Sequence, residues 1–310
     1  MPIRLLIALA LAGGLGGCRR APAVAPAPAT AVAAAPRTLR DTMGRSLTVP
    51  ATVRRVVSLS PSTTEVLFAI GAGPLIVGVD AYSDFPAAAA AIERVGSDID
   101  PSLERLLALR PDVVFAAKTA NPQRTVEAIE RLGLPVYVSR TDSIAAILDD
   151  VVAMAAAVGR PAEGERLRAE LAARIARVQA RLAGRPAVPA LVVVWPEPLI
   201  VAGGGSHVDE ALRLAGGDNI ARESPQPYPA FSLERMVKRA PAVVIVGTHA
   251  DANRVAPPAF ARLTTVPAVR DRRVFSVDGD LLFRPGPRVV DGIERLAALL
   301  HPDPADGGAR

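Results

Sequence analysis

Cysteine and histidine are scarce in this sequence. Cys18 is the one cysteine among 310 residues, so no disulfide can form within the chain. No two of the histidines, His207, His249 and His301, have the spacing of metal ligands on one element. A Ser–His relay at Ser206 and His207 is geometrically awkward because the two residues are adjacent, and no G-x-S-x-G motif or phosphate-cradling glycine loop occurs. The sequence therefore predicts no catalytic residue, metal site or cofactor, and an enzyme is the weaker hypothesis.

Runs of like charge are also absent. The chain has 36 Lys and Arg residues against 31 Asp and Glu residues, a net charge of +5, and the basic residues are scattered among acidic ones. A nucleic-acid-binding protein usually concentrates its basic residues on one face or along one helix. The charge pattern therefore predicts a solvated surface and no nucleic-acid partner.

The N-terminus has an apolar run that is too short to span a bilayer. In "MPIRLLIALALAGGLGGC", Arg4 precedes apolar residues 5–12, and small residues then lead to Cys18. This order resembles a bacterial lipobox, which predicts a lipoprotein signal peptide at 1–17 and lipidation of Cys18. An ordinary secretory signal with an incidental cysteine is the alternative. Both alternatives predict a mature protein outside the cytoplasm. The lipoprotein hypothesis also predicts that the protein is anchored to a membrane.

An Ala/Pro-rich stretch follows the predicted signal. Residues 18–38 lack apolar periodicity and predict an extended tether between a lipid and a folded domain. The folded part then divides into an N-terminal lobe at 39–145, linker helices at 146–184 and a C-terminal lobe at 185–301. A disordered tail is expected at 302–310.

Strand and helix patterns alternate in each predicted lobe. "RRVVSLSP", "LIVGVD", "PDVVFAA" and "LPVYVSR" are typical of buried strands separated by helices, and "ALVVVWP", "PAVVIVGT" and "RRVFSVDG" are their counterparts in the second half. "LRDTMGRSLTVP" indicates a short hairpin with Gly44 at its turn. This alternation predicts α/β lobes with mostly parallel sheets and helices on both faces.

A short segment occurs twice. "SLERLLALRPDVVFA" begins at Ser102 and "SLERMVKRAPAVVIV" begins at Ser232, and each runs from a helix through a proline into a strand. Because the flanking elements agree as well, the repeat predicts two lobes of similar design. Between them, Leu167, Leu171, Ile175, Val178 and Leu182 form one apolar stripe, which predicts a long helix joining the lobes.

Aromatic residues make up only 4% of the chain, yet many fall in or beside loops that follow strands. Ligands of open α/β sheets bind at the carboxyl ends of the strands, so two such lobes predict a cleft lined by these loops. The aromatic residues concerned are Tyr82, Phe85, Trp195, Tyr228, Phe231 and Phe283. "GGG" at 203–205 fits either a tight turn or a close backbone approach to a ligand.

The stretches "RVVSLSPSTTEVLFAIGAGPLIVGVDAYSDFP", "RLAGGDNI" and "RPGPRVVDGIERLA", with the first repeat, resemble a known family. It comprises the substrate-binding proteins of ABC importers of the single-helix-linked class, which bind cobalamin, haem or iron–siderophores. "SLSPSTTE" and "YSDFP" are most similar to the cobalamin-binding members. The resemblance implies two Rossmann-like lobes joined by one long helix, with the ligand cleft between them.

The resemblance also implies roles for individual residues. Glu104 and Glu234, one on each lobe, fall where family members dock onto arginines of the permease dimer. A glutamate in a first helical turn also complements the helix dipole, so both roles stay open. The implied ligand-binding residues are Pro61, Ser62, Tyr82, Trp195, Tyr228, Asp280, Phe283 and Arg284. Asp98 and Ala117 stand where well-known members have tryptophans.

These observations lead to one expected function with two alternatives. The protein is expected to be a periplasmic or cell-surface monomer that binds cobalamin or a related corrinoid and delivers it to an ABC importer. A haem or siderophore binder of the same class is the first alternative, with Tyr82, Tyr228 or His207 as the axial ligand of a haem. A metal-dependent enzyme on a similar scaffold is the second.

Overall fold

The computed structural model describes residues 35–248 and 260–302. The predicted signal peptide, Cys18, most of the predicted tether, His249 and nearly all of the predicted tail lie outside these residues. Within the described part, no helix is both long enough and apolar enough to cross a membrane.

The N-terminal lobe begins with an antiparallel hairpin, as its sequence predicts, and continues with a parallel four-stranded sheet in the order β4-β3-β5-β6. Its elements are β1 (Arg37–Arg40), β2 (Ser46–Val49), β3 (Val56–Ser58), α1 (Pro61–Ala69), β4 (Ile76–Val79), α2 (Leu103–Leu109), β5 (Val113–Ala117), α3 (Gln123–Arg131) and β6 (Val136–Ser139). Strand β1 starts at Arg37, inside the stretch 18–38 predicted as tether. Arg37 pairs with Val49, and its guanidinium donates to the carbonyl oxygens of Ala156 and Ala157, so this residue belongs to the folded part.

Two helices connect the lobes, α4 (Ile144–Ala157) and α5 (Pro161–Leu182). The predicted apolar stripe of α5 is confirmed, since all five of its residues are buried. Gly164 allows α5 to lie against α4, because a Cβ at this position would stand 2.4 Å from the Cβ of Ala155.

The C-terminal lobe has a five-stranded sheet in the order β11-β10-β7-β8, with β9 also paired to β7. All its pairings are parallel except β7 with β8. Its elements are β7 (Val188–Pro196), β8 (Leu199–Val201), α6 (His207–Leu214), β9 (Gly217–Asn219), α7 (Leu233–Arg239), β10 (Val243–Thr248), α8 (Pro267–Arg270), β11 (Val274–Asp278), α9 (Asp280–Phe283) and α10 (Val289–Leu300). The two α/β lobes and the long helix α5 between them agree with the predicted fold class.

One apolar core runs continuously beneath both sheets. It joins Met154 of α4, Leu171 and Ile175 of α5, Leu212 of α6 and Leu296 of α10. Each sheet also has a smaller core on its other face. Because the shared core contains residues of both lobes, large rotations of one lobe would expose apolar surface.

Asp150 of α4 has a buried carboxyl group. Its Oδ1 atom accepts hydrogen bonds of 3.0 Å from the hydroxyls of Thr42 and Tyr137, and the residue is 2% exposed. Burial raises the pKa of Asp150 to about 6, although these hydrogen bonds oppose the shift.

This raised pKa predicts a pH-dependent stability. The folded state binds the Asp150 proton more tightly than the unfolded state, so stability falls as pH rises from about 4 through about 6. The expected loss is on the order of 2–3 kcal/mol, from 1.36 kcal/mol per pKa unit. Asp150→Asn should remove this component from unfolding free energies measured by urea titration between pH 4 and 7.5. Asp149→Asn, at an exposed position of the same helix, is the control. An unchanged profile in Asp150→Asn would contradict the assignment.

Candidate functional site

A cavity of about 310 Å³ lies where the carboxyl edges of the two sheets meet. It takes residues from both lobes: Ser60, Pro61, Ser62, Asp98, Thr119 and Ala120 from the first, and Val194, His207, Tyr228, Phe283, Arg284 and Pro285 from the second. Two larger depressions, of about 660 and 560 Å³, are lined by N-terminal-lobe residues alone. The cavity between the lobes is therefore the candidate ligand site, as the topology predicts.

The loop "SLSPSTT" forms one wall of the cavity and is held by its own hydroxyl groups. Ser58 lies 2.7 Å from the Thr63 hydroxyl and accepts a 2.8 Å hydrogen bond from Thr64. Thr64 lies 2.7 Å from the hydroxyl of Ser83, which donates to the buried carboxylate of Asp80. These hydroxyls are occupied within the lobe, so they fix the loop that presents Pro61 to the cavity.

The opposite wall depends on two glycines. A Cβ at Gly203 would stand 2.3 Å from the carbonyl oxygen of Gln226, and one at Gly204 would stand 2.2 Å from that of Arg222. Residues 203–204 therefore pack against the loop that carries Tyr228, so the "GGG" stretch serves loop packing at these positions. Tyr228 lines the cavity and is 41% exposed.

His207 lies at the start of α6 and is 3% exposed. Its Nε2 atom is 2.9 Å from the carbonyl oxygen of Leu282. A carbonyl can only accept, so Nε2 carries a proton and donates it. Burial lowers the pKa of His207 to about 4, and the imidazole is therefore neutral near neutral pH.

A buried ion pair joins the lobes beside the cavity. The Nε and Nη2 atoms of Arg288, at the start of α10, donate to the two carboxylate oxygens of Glu65 on α1, at 3.0 and 2.6 Å. The side chains are 15% and 2% exposed. The Arg288 guanidinium also lies 4.0 Å from the ring centroid of Phe85, a cation–π contact.

A second ion pair between the lobes lies at the cavity itself. Nη1 of Arg284 donates to Oδ1 of Asp84 at 2.5 Å, and Nε of Arg284 lies 3.0 Å from Oδ1 of Asp280. The hydrogen bond from Arg284 lowers the pKa of Asp84, so this carboxylate is ionised. The charge of Arg284 is thus balanced by carboxylates from both lobes.

The structure gathers part of the predicted ligand-binding set at the cavity. Pro61, Ser62, Tyr228, Phe283 and Arg284 line it. Tyr82 and Trp195, 57% and 40% exposed, are outside the lining, and so is Asp280, which contacts Arg284. His207, a candidate axial ligand of the haem alternative, also lies on the lining. Residues outside the predicted ligand-binding set contribute as well, namely Asp98 and Thr119 on the lining and Asp84, Glu65 and Arg288 beside it. Asp84, Glu65 and Arg288 each stand in a stretch that carries the family resemblance, "YSDFP", "SLSPSTTE" and "RPGPR".

The repeated "SLER" segments form matching helices, α2 and α7. Their first residues follow N-cap serines that accept from backbone N–H groups three residues on, at 3.3 Å in Ser102 and 3.1 Å in Ser232. Both helices end in a left-handed residue, Arg110 with φ 43° and Ala240 with φ 46°. The repeated segment therefore builds a helix with the same caps in each lobe.

Each of these helices exposes a carboxylate and an apolar side chain. Glu104 and Glu234 are exposed. Leu107 and Val237, one helical turn further on, are 45% and 41% exposed. Because α2 and α7 each lead into a parallel strand, their N-termini lie at the carboxyl edges of the sheets, the edges where the cavity lies. Each lobe thus presents a similar polar and apolar surface.

Within the described residues, no group of three or more His, Cys, Asp or Glu side chains is arranged to hold a metal ion.

Comparison with known proteins gives a consistent result. Residues 56–281 match the family described as periplasmic binding protein. Similar curated proteins include vitamin B12-binding proteins of Vibrio cholerae, 30% identical over 82% of this chain and 91% of the relative, and of Yersinia pseudotuberculosis, 32% identical over 81% and 88%.

Solved structures with this fold belong to proteins named for more than one ligand. A crystal structure of the periplasmic vitamin B12 binding protein of Vibrio cholerae matches with a TM-score of 0.73 at 30% identity, over 80% of this chain and 96% of that one. A periplasmic heme-binding protein from Roseiflexus matches with a TM-score of 0.72 at 28% identity, over 80% and 98%. The family match at residues 56–281 covers most of both lobes, including every strand that borders the cavity. This chain belongs to the periplasmic binding protein family.

Proposed function

We propose that this protein binds cobalamin or a related corrinoid outside the cytoplasm and delivers it to the permease of an ABC importer. The observation that carries the proposal is the cavity between the lobes, in a chain about 30% identical along most of its length to vitamin B12-binding proteins. The relatives are binding proteins, which agrees with a role in capture.

The cavity suits one edge of a large flat ligand. At about 310 Å³ it is at the small end of the range for drug-sized ligands, and a tetrapyrrole with its side chains is larger. The proposed ligand therefore inserts an edge between Pro61 and Tyr228. The rest of the macrocycle lies against two exposed rings, that of Tyr82, which follows β4, and that of Trp195, near the carboxyl end of β7.

Haem is the second candidate, because Tyr228 and His207 line the cavity and solved relatives bind haem. Nε2 of His207 donates to Leu282 and has no lone pair for iron, so this histidine, 3% exposed, offers only Nδ1. The Tyr228 hydroxyl is the stronger axial ligand for that alternative.

Titration distinguishes these ligands. Cyanocobalamin, cobinamide, haemin and a ferric siderophore should be titrated into the purified protein by calorimetry, and a corrinoid should bind most tightly. Tyr228→Ala should weaken its binding by about 1–3 kcal/mol, roughly 5- to 150-fold, because the ring packs against the ligand. Leu132→Ala, at an exposed apolar position outside the cavity, is the control. Tighter binding of haemin with a tyrosinate–iron absorption band would favour haem instead.

We propose that α2 and α7 dock onto the two permease subunits. The support is their matching geometry: each places an exposed carboxylate, Glu104 or Glu234, beside an exposed apolar side chain at the cavity edge. A carboxylate at such a surface pairs well with arginine and gives orientation more than affinity. Two similar surfaces fit a partner made of two similar subunits.

The double variant Glu104→Ala, Glu234→Ala tests this docking. It should keep ligand affinity and melting temperature close to those of the wild type, because neither residue lines the cavity. Uptake in a reconstituted importer should be lost, and added salt should weaken wild-type docking by screening. The matched control is Glu165→Ala, Glu170→Ala on the exposed side of α5. Normal uptake by the first variant would restrict both glutamates to stabilising their helices.

We further propose that Cys18 is lipidated and that the residues between Cys18 and β1 tether the folded part to the membrane. The support is the sequence order of a charged start, a short apolar run and "LGGC". In cells, Cys18→Ser should move the protein from the membrane fraction to the soluble fraction, because its anchor is lost. Persistence of the variant in the membrane fraction would contradict lipidation at Cys18.

A further inference from the structure

Asp84 and Arg284 belong to different lobes and contact each other beside the cavity. Asp84 follows β4 in the N-terminal lobe, and Arg284 follows α9 in the C-terminal lobe. Their contact involves Nη1 to Oδ1 at 2.5 Å and Nη2 to Oδ2 at 3.5 Å. Arg284 is 18% exposed and Asp84 is 57% exposed, so the pair is open to solvent and to a ligand on the Asp84 side.

The charges around this pair do not favour an anion. Arg284 also contacts Asp280, and Arg288 contacts Glu65 and lies 3.9 Å from Asp280. These two guanidinium groups therefore share three carboxylates, those of Glu65, Asp84 and Asp280. Asp98 adds a fourth carboxylate on the cavity lining. A ligand carboxylate entering here would meet an arginine whose charge is already balanced.

We propose that Asp84 and Arg284 together recognise carboxamide groups on the edge of the ligand, so that the site selects amide-edged corrinoids over carboxylate-edged macrocycles. A primary amide has an NH₂ donor and a carbonyl acceptor. Placed between the two side chains, it donates to Asp84 and accepts from Arg284, and both keep a hydrogen-bonding partner.

A carboxylate cannot replace the amide in this arrangement. It accepts from Arg284 but has no proton to donate, so Asp84 loses its partner and faces a like charge. Sites built to hydrogen-bond a particular group reject analogues that leave their polar groups unpaired. Asp84 is therefore a specificity residue, and this role rests on the proposed corrinoid function.

The test compares ligands that share one ring. Cobinamide carries amides at its edge, and cobyrinic acid carries carboxylic acids in the same places. Both are titrated into the wild type, Asp84→Asn and Asp142→Asn at pH 7.5 by calorimetry, with haemin as a further carboxylate ligand. Asp142 is exposed like Asp84 but pairs with Arg140, and it does not line the cavity, so its variant controls for the loss of one surface charge.

The wild type should prefer cobinamide. Asp84→Asn keeps the shape and an acceptor oxygen but removes the charge, so cobyrinic acid and haemin should bind about tenfold more tightly relative to cobinamide. Asp142→Asn should keep the wild-type preference.

Two results would overturn the proposal while leaving corrinoid binding intact. One is an unchanged preference in Asp84→Asn. The other is an equal weakening of all three ligands, which would restrict Asp84 to holding the lobes together. Failure of the wild type to bind either corrinoid would refute the proposed function, and this inference with it.

Discussion

The buried pair of Glu65 and Arg288 fixes how the two lobes meet. Glu65 lies in the first helix of one lobe, and Arg288 precedes the last helix of the other, yet two hydrogen bonds of 3.0 and 2.6 Å join them. Removing either partner would leave a charge with little access to water, which costs several kcal/mol. The cavity wall formed by residues 61–62 and 283–285 is built on either side of this contact.

Packing places a second constraint on the lobes. The core beneath both sheets is continuous through α4, α5 and α10, so the lobes cannot separate widely without exposing apolar side chains. Of the two ion pairs between the lobes, that of Asp84 and Arg284 is more exposed to solvent than that of Glu65 and Arg288. A continuous apolar core and a more exposed polar contact beside the cavity are compatible with capture and release of a ligand.

The sequence predicts those features that have a local pattern. The α5 stripe and the order of the strands along the chain both arise from residues a few positions apart, and the structure confirms them. The ion pairs beside the cavity join residues 223 and 200 positions apart, and no periodicity relates such partners. Tyr82 shows another limit, because its loop could be placed at the sheet edge but its side-chain exposure could not.

Trp195, the only tryptophan in the chain, lies at the end of β7 and is 40% exposed. Its indole N–H donates to the carbonyl oxygen of Glu197 at 2.9 Å, which helps to fix the ring. All indole fluorescence of the protein thus comes from one position on β7, adjacent in sequence to Val194 of the cavity lining. Tetrapyrroles absorb near the wavelengths at which indole emits, so a bound macrocycle would quench this emission by energy transfer. The protein therefore has an intrinsic optical probe of its own occupancy, without any added label.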